Sequence, residues 1–194
     1  CALPICQPGV QTEGIRDMKY AVPNFRVEQH SPDVGIPVSY WRSVGYSQNT
    51  FFMESFLDEL ATAAGKDPLE YRRKLLEKQP RMLAVLNLAA EKAGWGKPLP
   101  AGRFRGIAVV SNIGSFNAQV AEVSVTGGKV KVHKVTCAVD CGVVVNPAIV
   151  AQQIESGIVY GLGPALKHGI TLDKGRVTNT NFNSYDPTRI DETP

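Results

Sequence analysis

The stretch WRSVGYSQNTFFMESFLDELA, residues 41–61, places a bend of small and polar residues directly before an amphipathic helix pattern. Apolar residues recur at helical spacing between residues 49 and 64. We expect the following residues of this helix to form its core face: Phe52, Phe56, Leu57 and Leu60. Arg42 and Gln48 flank the helix start, where unpaired backbone N–H groups and the helix dipole favour anions. Taken alone, the stretch gives only a hint of an anion or ligand site.

Two further helices are predicted before residue 97. Asp67-Pro68 supplies an N-cap and a first-turn proline for a helix that extends to about Glu77. The basic run 72–74 on this helix, Arg-Arg-Lys, is interpreted as solvated surface. Pro80 opens the third helix and Gly94 ends it. Its predicted core face is Leu83, Leu86, Leu88 and Ala90.

The pattern changes to strands after the linker KPLPAG at residues 97–102. The runs GRFRGIAVVSN, AQVAEVSVTGGKVKVHKVTCAV and GRVTNTNF alternate or are β-branched, and Gly127-Gly128 marks a tight hairpin. Asn146-Pro147 starts a helix that extends to about Leu166. The sequence therefore predicts an α+β fold, with a helical segment followed by an antiparallel-rich sheet and a packed crossing helix. We divide the chain into residues 1–100, a proline-rich extended segment plus the helices, and the strand-rich residues 101–194.

Three glycines in the last predicted helix, Gly157, Gly161 and Gly163, lie near helical spacing and weaken the helix. One interpretation is that another backbone or a flat ligand approaches them closely. The other interpretation is tight packing of the helix on the sheet. The residues alone leave both open.

Composition excludes several classes of function. The 194 residues are 43% apolar and 20% charged, and the net charge of +3 is spread over mixed signs, which argues against a nucleic-acid-binding surface. No apolar run has the length needed to span a bilayer. Cys137 and Cys141 lack the spacing of zinc or iron–sulfur ligands and are interpreted as buried thiols. The histidines His30, His133 and His168 do not cluster, so no metal site is predicted.

Several motifs in one order resemble the large molybdopterin-binding subunit of the xanthine oxidase family, over roughly residues 35–194. Trp41-Arg42-Ser43-Val44-Gly45 resembles the family's aromatic-Arg-Gly-aromatic-Gly loop, in the form found in the beta subunits of isoquinoline 1-oxidoreductases and in bacterial aldehyde oxidoreductases. The run VDCGVVVNP, residues 139–147, is similar to the family's Asp-x-Gly-x-x-x-Asn-Pro turn. Gln153-Ile154-Glu155 and NFNSYDP, residues 181–187, resemble the motifs that follow.

The resemblance implies an activity and its cofactor. Enzymes of the family hydroxylate a carbon of an N-heterocycle or oxidise an aldehyde, with water as the oxygen source. They carry a molybdopterin-type molybdenum cofactor, and a [2Fe-2S] electron-transfer subunit is the expected partner. The family's glutamate base lies in a motif that we expect beyond Pro194, so no catalytic residue is assigned in this chain and no cofactor is expected on it alone.

The resemblance also assigns site residues. Trp41 and Arg42 are expected to border the substrate pocket. The expected cofactor-binding residues are Ser43, Gly45, Gln48 and Gln153, and the expected supporting residues are Asp140, Asn146 and Glu155.

The N-terminus CALPICQPGVQ is interpreted as a cut inside a longer chain, because it has neither a starting Met nor a charged leader. The compartment stays open between cytoplasm and periplasm. The alternative to an enzyme fragment is a non-catalytic α+β binding or assembly module that has kept the scaffold.

Overall fold

The computed structural model describes residues 10–32, 35 and 40–194. They divide into two compact units. The first comprises the described residues up to Gly96 together with Ile107–Val120 and Thr136–Gly142. The second comprises Lys97–Gly106, Ala121–Val135 and Val143–Pro194. The predicted division at residue 100 stays a prediction.

Three helices precede the sheet: α1 (Gly45–Ala63), α2 (Pro68–Leu75) and α3 (Pro80–Ala93). The Asp67 carboxylate accepts two first-turn N–H groups of α2, which confirms the predicted N-cap. Gly94 ends α3 in the left-handed conformation, with φ of 66°, as glycine does at a helix C-terminus. Helix α1 begins four residues earlier than predicted, so the bend before it is shorter than the pattern indicated.

The main sheet is a meander in the order β1-β2-β3. Its strands are β1 (Arg103–Asn112), β2 (Ser115–Thr126) and β3 (Lys129–Asp140). Two-residue turns, Ile113-Gly114 and Gly127-Gly128, join them and require antiparallel pairing. All four turn residues have positive φ, and the glycine pair confirms the predicted hairpin.

The core of the first unit lies between the three helices and one face of the sheet. Alternate residues of β1 and β2, such as Ile107 with Val109 and Ala118 with Val120, point into it. The helices and loops contribute Tyr20, Leu57, Leu69, Leu76, Met82, Val85, Leu86, Ala89 and Ala90, and β3 contributes Ala138. Helices on one face of an antiparallel sheet confirm the α+β prediction.

Predictions about three helix faces are wrong at least in part. The predicted solvated surface of α2 includes Arg72, but this residue is fully buried. The predicted core face of α1 includes Phe52, Phe56 and Leu60, but they are 56%, 54% and 37% exposed. Helix α1 is rotated relative to that prediction, and it buries Gly45, Asn49, Glu54, Leu57 and Ala61 instead. Leu88 of α3 is also exposed rather than buried.

The second unit contains α4 (Pro147–Leu166) and a two-stranded ribbon of Leu172–Asp173 (β4) and Arg176–Val177 (β5). The sequence predicts that the helix crosses and packs on the sheet. Of its twenty residues, Gly163 is the buried one. Its other apolar residues are exposed, except for five that are half-buried: Val150, Ile154, Ile158, Val159 and Leu162.

The cysteine prediction is partly wrong. Cys137 is half-buried, and its Sγ accepts a hydrogen bond from the Asn117 amide at 3.2 Å. Cys141 is exposed. Cys1 and Cys6 lie outside the described residues.

Candidate functional site

The predicted site loop forms a tight turn that leads straight into α1. The Val44 N–H donates to the Trp41 carbonyl at 2.9 Å, and the Tyr46 N–H donates to the Ser43 carbonyl at 3.0 Å. Ser43 and Val44 have φ values of 69° and 49°. Two consecutive non-glycine residues with positive φ cost roughly 1–3 kcal/mol each, and such strain concentrates at functional sites.

Two serines hold the backbone of Arg42 in this turn. The Ser47 hydroxyl donates to the Arg42 carbonyl at 2.9 Å and lies 2.7 Å from the Ser43 hydroxyl. The Ser43 hydroxyl also donates to the Arg42 carbonyl. Because the Ser43 hydroxyl is engaged within the turn, any contact of Ser43 with a cofactor would use its main chain.

The start of α1 differs from the starts of α2 and α4. Among the described residues, no side chain caps α1 or α3, whereas Asp67 caps α2 and Asn146 caps α4. Trp41 is 48% exposed, and Arg42 and Gln48 are exposed as well. An uncapped helix start with an exposed guanidinium and an exposed amide suits an anionic ligand that also forms hydrogen bonds.

Glu54 of α1, nine residues after Gly45, is the centre of a buried polar cluster that the sequence reasoning missed. The Glu54 carboxylate accepts from the Tyr20 hydroxyl at 2.7 Å, from Arg72 Nε at 2.9 Å and from the Val109 N–H at 3.0 Å. Arg72 also donates to the Glu54 carbonyl at 2.8 Å and to Asp58 at 2.6 Å. The cluster therefore joins α1 to α2, to β1 and to the segment before the site loop. We name these residues, Tyr20, Glu54, Asp58 and Arg72, the Glu54 cluster.

Burial controls the ionisation of the Glu54 cluster. Desolvation raises the pKa of the Glu54 carboxyl, although Arg72 and the hydrogen bonds from Tyr20 and Val109 oppose that shift. Desolvation, followed by the charge of Glu54, also raises the pKa of Tyr20. A signal for this cluster was present in the sequence, since Glu54 shares helical spacing with the buried Leu57 and Ala61.

Asp140, a predicted supporting residue, is engaged by an arginine of α3. Its two carboxylate oxygens accept from Arg81 at 2.8 Å each, and one of them accepts from the Gly142 N–H at 3.0 Å. The Arg81 hydrogen bonds, together with that N–H, lower the pKa of Asp140 to about 2. The Arg81 guanidinium also lies 4.6 Å from the centre of the Phe116 ring. Asp140 therefore ties the end of β3 to α3.

The remaining predicted site residues lie on α4 in the second unit. The Asn146 side chain caps this helix by accepting from two first-turn N–H groups at 3.0 and 3.3 Å. Gln153 and Glu155 are exposed. The structure therefore places Trp41, Arg42, Ser43, Gly45 and Gln48 in the site turn and the first turn of α1. It places Asp140 elsewhere in the same unit and the other three residues in the second unit.

The glycines of α4 separate into two kinds. A Cβ on Gly163 would overlap the imidazole ring of His168, whose centre lies 5.0 Å from that of the Tyr185 ring with the two planes tilted by 40°. A Cβ on Gly157 or Gly161 would meet no atom within 4 Å. The flat group that approaches Gly163 is therefore the His168 side chain of the same chain, whereas no atom fills the space beside Gly157 or Gly161.

Within the described ranges, no three His, Cys, Asp or Glu residues group closely enough to hold a metal ion. Among the same residues, no helix combines the length and apolar character of a membrane span.

Comparison with known proteins places most of the chain in a family. A family model for the molybdopterin cofactor-binding domain matches residues 57–194. The chain belongs to this family. The match confirms the predicted relation to the molybdopterin-binding proteins of the xanthine oxidase family.

Three curated relatives cover most of the chain. It is 33% identical to the beta subunit of isoquinoline 1-oxidoreductase of Brevundimonas diminuta, over 90% of this chain and 23% of that protein. It is 31% identical to a nicotinate dehydrogenase subunit of Pseudomonas putida, over 90% of this chain and 16% of that protein. It is also 31% identical to a membrane-bound aldehyde dehydrogenase [pyrroloquinoline-quinone] of Gluconacetobacter polyoxogenes, over 92% of this chain and 26% of that protein. The chain thus spans about a quarter or less of the length of these relatives.

Proposed function

We propose that the chain is part of the large subunit of a molybdenum hydroxylase that oxidises an N-heterocycle or an aldehyde. The family match supports the cofactor, and the names of the relatives support the substrate classes. The single observation that supports a ligand site within this chain is the strained turn at Ser43 and Val44. This turn presents Arg42 at an uncapped helix start. We further propose a [2Fe-2S] subunit as the electron acceptor, since two relatives are named as subunits.

The turn fits a molybdopterin-type cofactor chemically. Such a cofactor is anionic and carries hydrogen-bonding ring atoms, and the start of α1 offers a positive dipole end and the Gln48 amide. When bound, it would supply the oxygen-transfer and redox chemistry. We propose that Gly45, Ser43, Gln48 and Gln153 contact it, with Ser43 and Gly45 acting through their main chain. Asp140, Asn146 and Glu155 are proposed to support the surrounding turns.

Arg42 is proposed to act on the substrate. The Arg42 backbone is held by two serine hydroxyls, and its guanidinium can orient a carbonyl or ring nitrogen and stabilise negative charge that develops in the transition state. Trp41, about half exposed, is proposed as a wall against which a planar ring stacks. The general base is proposed to be a glutamate that this chain does not contain.

The test uses the full-length subunit with its electron-transfer partner, purified from a host that makes the cofactor. We expect about one molybdenum per large subunit. Arg42→Met should keep the metal and lower kcat by roughly 10²–10³-fold, the usual effect of removing one transition-state donor. Arg42→Lys should recover only part of this loss, because an ammonium does not present the planar donor pair of a guanidinium.

The matched control is Arg26→Met, since Arg26 is 86% exposed and pairs with Glu28 on the surface. It should leave kcat and KM unchanged. Full activity in Arg42→Met would contradict the role of the turn. Correctly folded protein without molybdenum would favour the binding-module alternative. Protein that contains a bound quinone instead of molybdenum would favour pyrroloquinoline quinone, the cofactor in the name of the third relative.

A further inference from the structure

Helix α1 is held at its start by the segment that precedes the site turn in the sequence. Asn49, which is 6% exposed, donates both N–H groups of its side-chain amide to backbone carbonyls: to that of Gln11 at 2.6 Å and to that of Glu13 at 2.7 Å. Three residues earlier, the Tyr46 hydroxyl donates to the Asp17 carboxylate. We name these three hydrogen bonds the α1 anchor.

Gly14 allows this segment to approach α1 closely. It has a φ of 86°, in the region that favours glycine, and a Cβ at this position would lie 3.3 Å from the Cα of Tyr46. The Thr12 carbonyl is used within the segment, where it accepts from two N–H groups at 2.8 and 3.2 Å. The carbonyls before and after it accept from Asn49 instead. The segment therefore meets α1 largely through its main chain.

Polar contacts are prominent on the buried face in the first half of α1. The buried residues there are Gly45, Asn49 and Glu54, whereas Leu57 and Ala61 follow in the second half. Apolar packing has no preferred direction, but a hydrogen bond weakens steeply when its angle departs from the ideal. The α1 anchor therefore fixes both the rotation of the helix about its axis and its position along that axis.

The site turn needs a helix that is fixed in this way. Ser43 and Val44 have positive φ, and strained backbone of this kind persists only where the surrounding structure holds it. The turn continues directly into α1, and Asn49 lies five residues after Val44. Gln48 precedes Asn49, and about 100° around the helix separates adjacent residues. A rotation of α1 that breaks the anchor would therefore also move Gln48.

We propose that Asn49 is a positioning residue of the site turn: by tying α1 to the segment before the turn, it holds Arg42 and Gln48 in place. This inference rests on the proposed function in taking Arg42 and Gln48 as the residues that contact substrate and cofactor. Asn49 acts through them, because its side chain is buried and both of its N–H groups are bound within the chain.

The test compares Asn49→Leu with a core variant of equal stability. Asn49→Leu keeps the approximate size of the side chain and removes both donors. The matched control lies on the same buried face of α1, at Leu57, which is 4% exposed. Leu57→Ala or Leu57→Val is used, whichever equals Asn49→Leu in melting temperature. Each variant is made in the full-length large subunit with its electron-transfer partner and assayed where it is fully folded.

The activity of Asn49→Leu should fall through kcat. We expect kcat per bound molybdenum to drop about 10–100-fold, since a misplacement of about 1 Å can cost about 10²-fold in rate. KM should change by less than about threefold, because Arg42 is proposed to act on the transition state. The control at Leu57 should keep kcat within about twofold of the wild type. Tyr46→Phe removes one hydrogen bond of the anchor and should lower kcat by a smaller factor.

Amide hydrogen exchange gives a second readout that does not depend on activity. The N–H groups of Val44 and Tyr46 donate to carbonyls within the turn at 2.9 and 3.0 Å. Asn49→Leu should make both exchange at least about tenfold faster, with or without the cofactor. The control at Leu57 should leave both close to their wild-type rates, because it loosens the core without releasing the anchor.

Equal kcat and equal exchange rates in Asn49→Leu and the Leu57 control would overturn the inference, because Asn49 would then act on stability alone. Faster exchange with unchanged kcat and molybdenum content would overturn it, and so would a lower kcat without faster exchange. Faster exchange with a loss of molybdenum confined to Asn49→Leu would support it, since Gln48 is a proposed cofactor contact. If Asn49→Leu does not fold, the same comparisons are decided with Tyr46→Phe.

Arg42→Met, measured in parallel, separates this inference from the proposed function. Full activity in Arg42→Met, or wild-type protein without molybdenum, refutes the proposed function, and the exchange rates alone then show whether Asn49 holds the turn. An impaired Arg42→Met beside a fully active Asn49→Leu refutes only the positioning role of Asn49.

Discussion

The buried guanidinium of Arg72 should contribute far more to the free energy of unfolding than the guanidinium of Arg73, the next residue in the sequence. Arg72→Met replaces it with an apolar side chain of similar length and leaves the Glu54 carboxylate buried beside Tyr20 and Val109 without its cation. Arg73→Met is the matched control on the same helix, because Arg73 is 38% exposed, pairs with Glu70 and donates one neutral hydrogen bond, to the Asn87 amide oxygen.

The contacts of Arg72 set the size of the effect. Its side chain makes four kinds of hydrogen bond, to the Glu54 carboxylate and carbonyl, to Asp58 and to the Pro68 carbonyl. The bond to Asp58 adds little, because that carboxylate is 43% exposed. Removing one partner of a buried pair costs about 3–5 kcal/mol, and we expect Arg72→Met to fall in this range. Arg73→Met should cost about 1 kcal/mol or less.

Urea denaturation of the chain, followed by the fluorescence of Trp95, measures both variants. Trp95 packs against the core of the first unit, and its indole N–H donates to Asp67 at 3.0 Å, so its emission reports the unfolding of that unit. The double variant Glu54→Gln/Arg72→Met removes the unpaired charge and keeps an oxygen that can accept a hydrogen bond. It should recover about 1–3 kcal/mol relative to Arg72→Met.

The deficit of Arg72→Met should also depend on pH. Without the cation, the folded-state pKa of Glu54 rises further above its unfolded value, so the folded state binds the extra proton. The loss of unfolding free energy in Arg72→Met should therefore be small below about pH 4. It should grow as pH rises from the folded-state pKa of Glu54 in the wild-type protein towards the higher folded-state pKa in Arg72→Met. Equal costs for Arg72→Met and Arg73→Met, or a double variant no more stable than Arg72→Met, would refute the reasoning.

Three further predictions concern local contacts. Asp140 has a folded-state pKa of about 2, below its unfolded value, so its contribution to stability is present above about pH 4 and is lost as pH falls towards 2. The melting temperature should therefore change less steeply with pH over that range in Asp140→Asn than in the wild type. An unchanged slope would contradict the ion pair of Asp140 with Arg81. Ile113→Asn should stabilise the chain by roughly 1 kcal/mol in urea denaturation, because a β-branched residue at φ 47° is strained and Asn is not. Lys174→Asn, at φ 48° in the two-residue turn Lys174-Gly175 between β4 and β5, should give a smaller gain of the same sign, and a loss in both variants would refute the strain. Gly157→Ala, at an open position of α4, should stabilise the helix by about 0.5–1 kcal/mol, whereas Gly163→Ala should destabilise it by displacing the imidazole ring that covers it, as circular dichroism melts would show.

Local signals predicted the elements and their ends well. Asp67, Gly94 and Asn146 act within one helical turn, so their capping roles could be inferred from the residue type and its position. Gly127-Gly128 likewise specified a two-residue hairpin, because few residues accept positive φ at both positions. The turn Ile113-Gly114 was missed, because isoleucine is not a residue that such turns favour.

Helix faces were harder to predict. Phe52 and Phe56 are large apolar residues of α1, so hydrophobicity alone assigned them to the core, and Glu54 was overlooked. The structure turns Glu54 inward because Arg72, Tyr20 and the Val109 N–H together satisfy its carboxylate. Those partners lie 18, 34 and 55 residues away, which is beyond the reach of any periodicity argument.

The candidate site was likewise only partly predictable from the sequence. The motif Trp41-Arg42-Ser43-Val44-Gly45 and the turn at Asn146 indicated the family from the sequence, because these short segments carry their residues in a fixed order. The strain at Ser43 and Val44 and the engagement of the Ser43 hydroxyl became visible only in the structure.

The sequence by itself determined the α+β class, the helix caps, the glycine hairpin and the relation to the molybdopterin-binding family, since all of these depend on residues close together in the chain. Only the tertiary structure decided which face of α1 is buried, why Arg72 is inside, and that Phe52 and Phe56 are exposed. The physical reason is that a buried charge is stable only beside partners from distant segments, and folding alone brings those partners together.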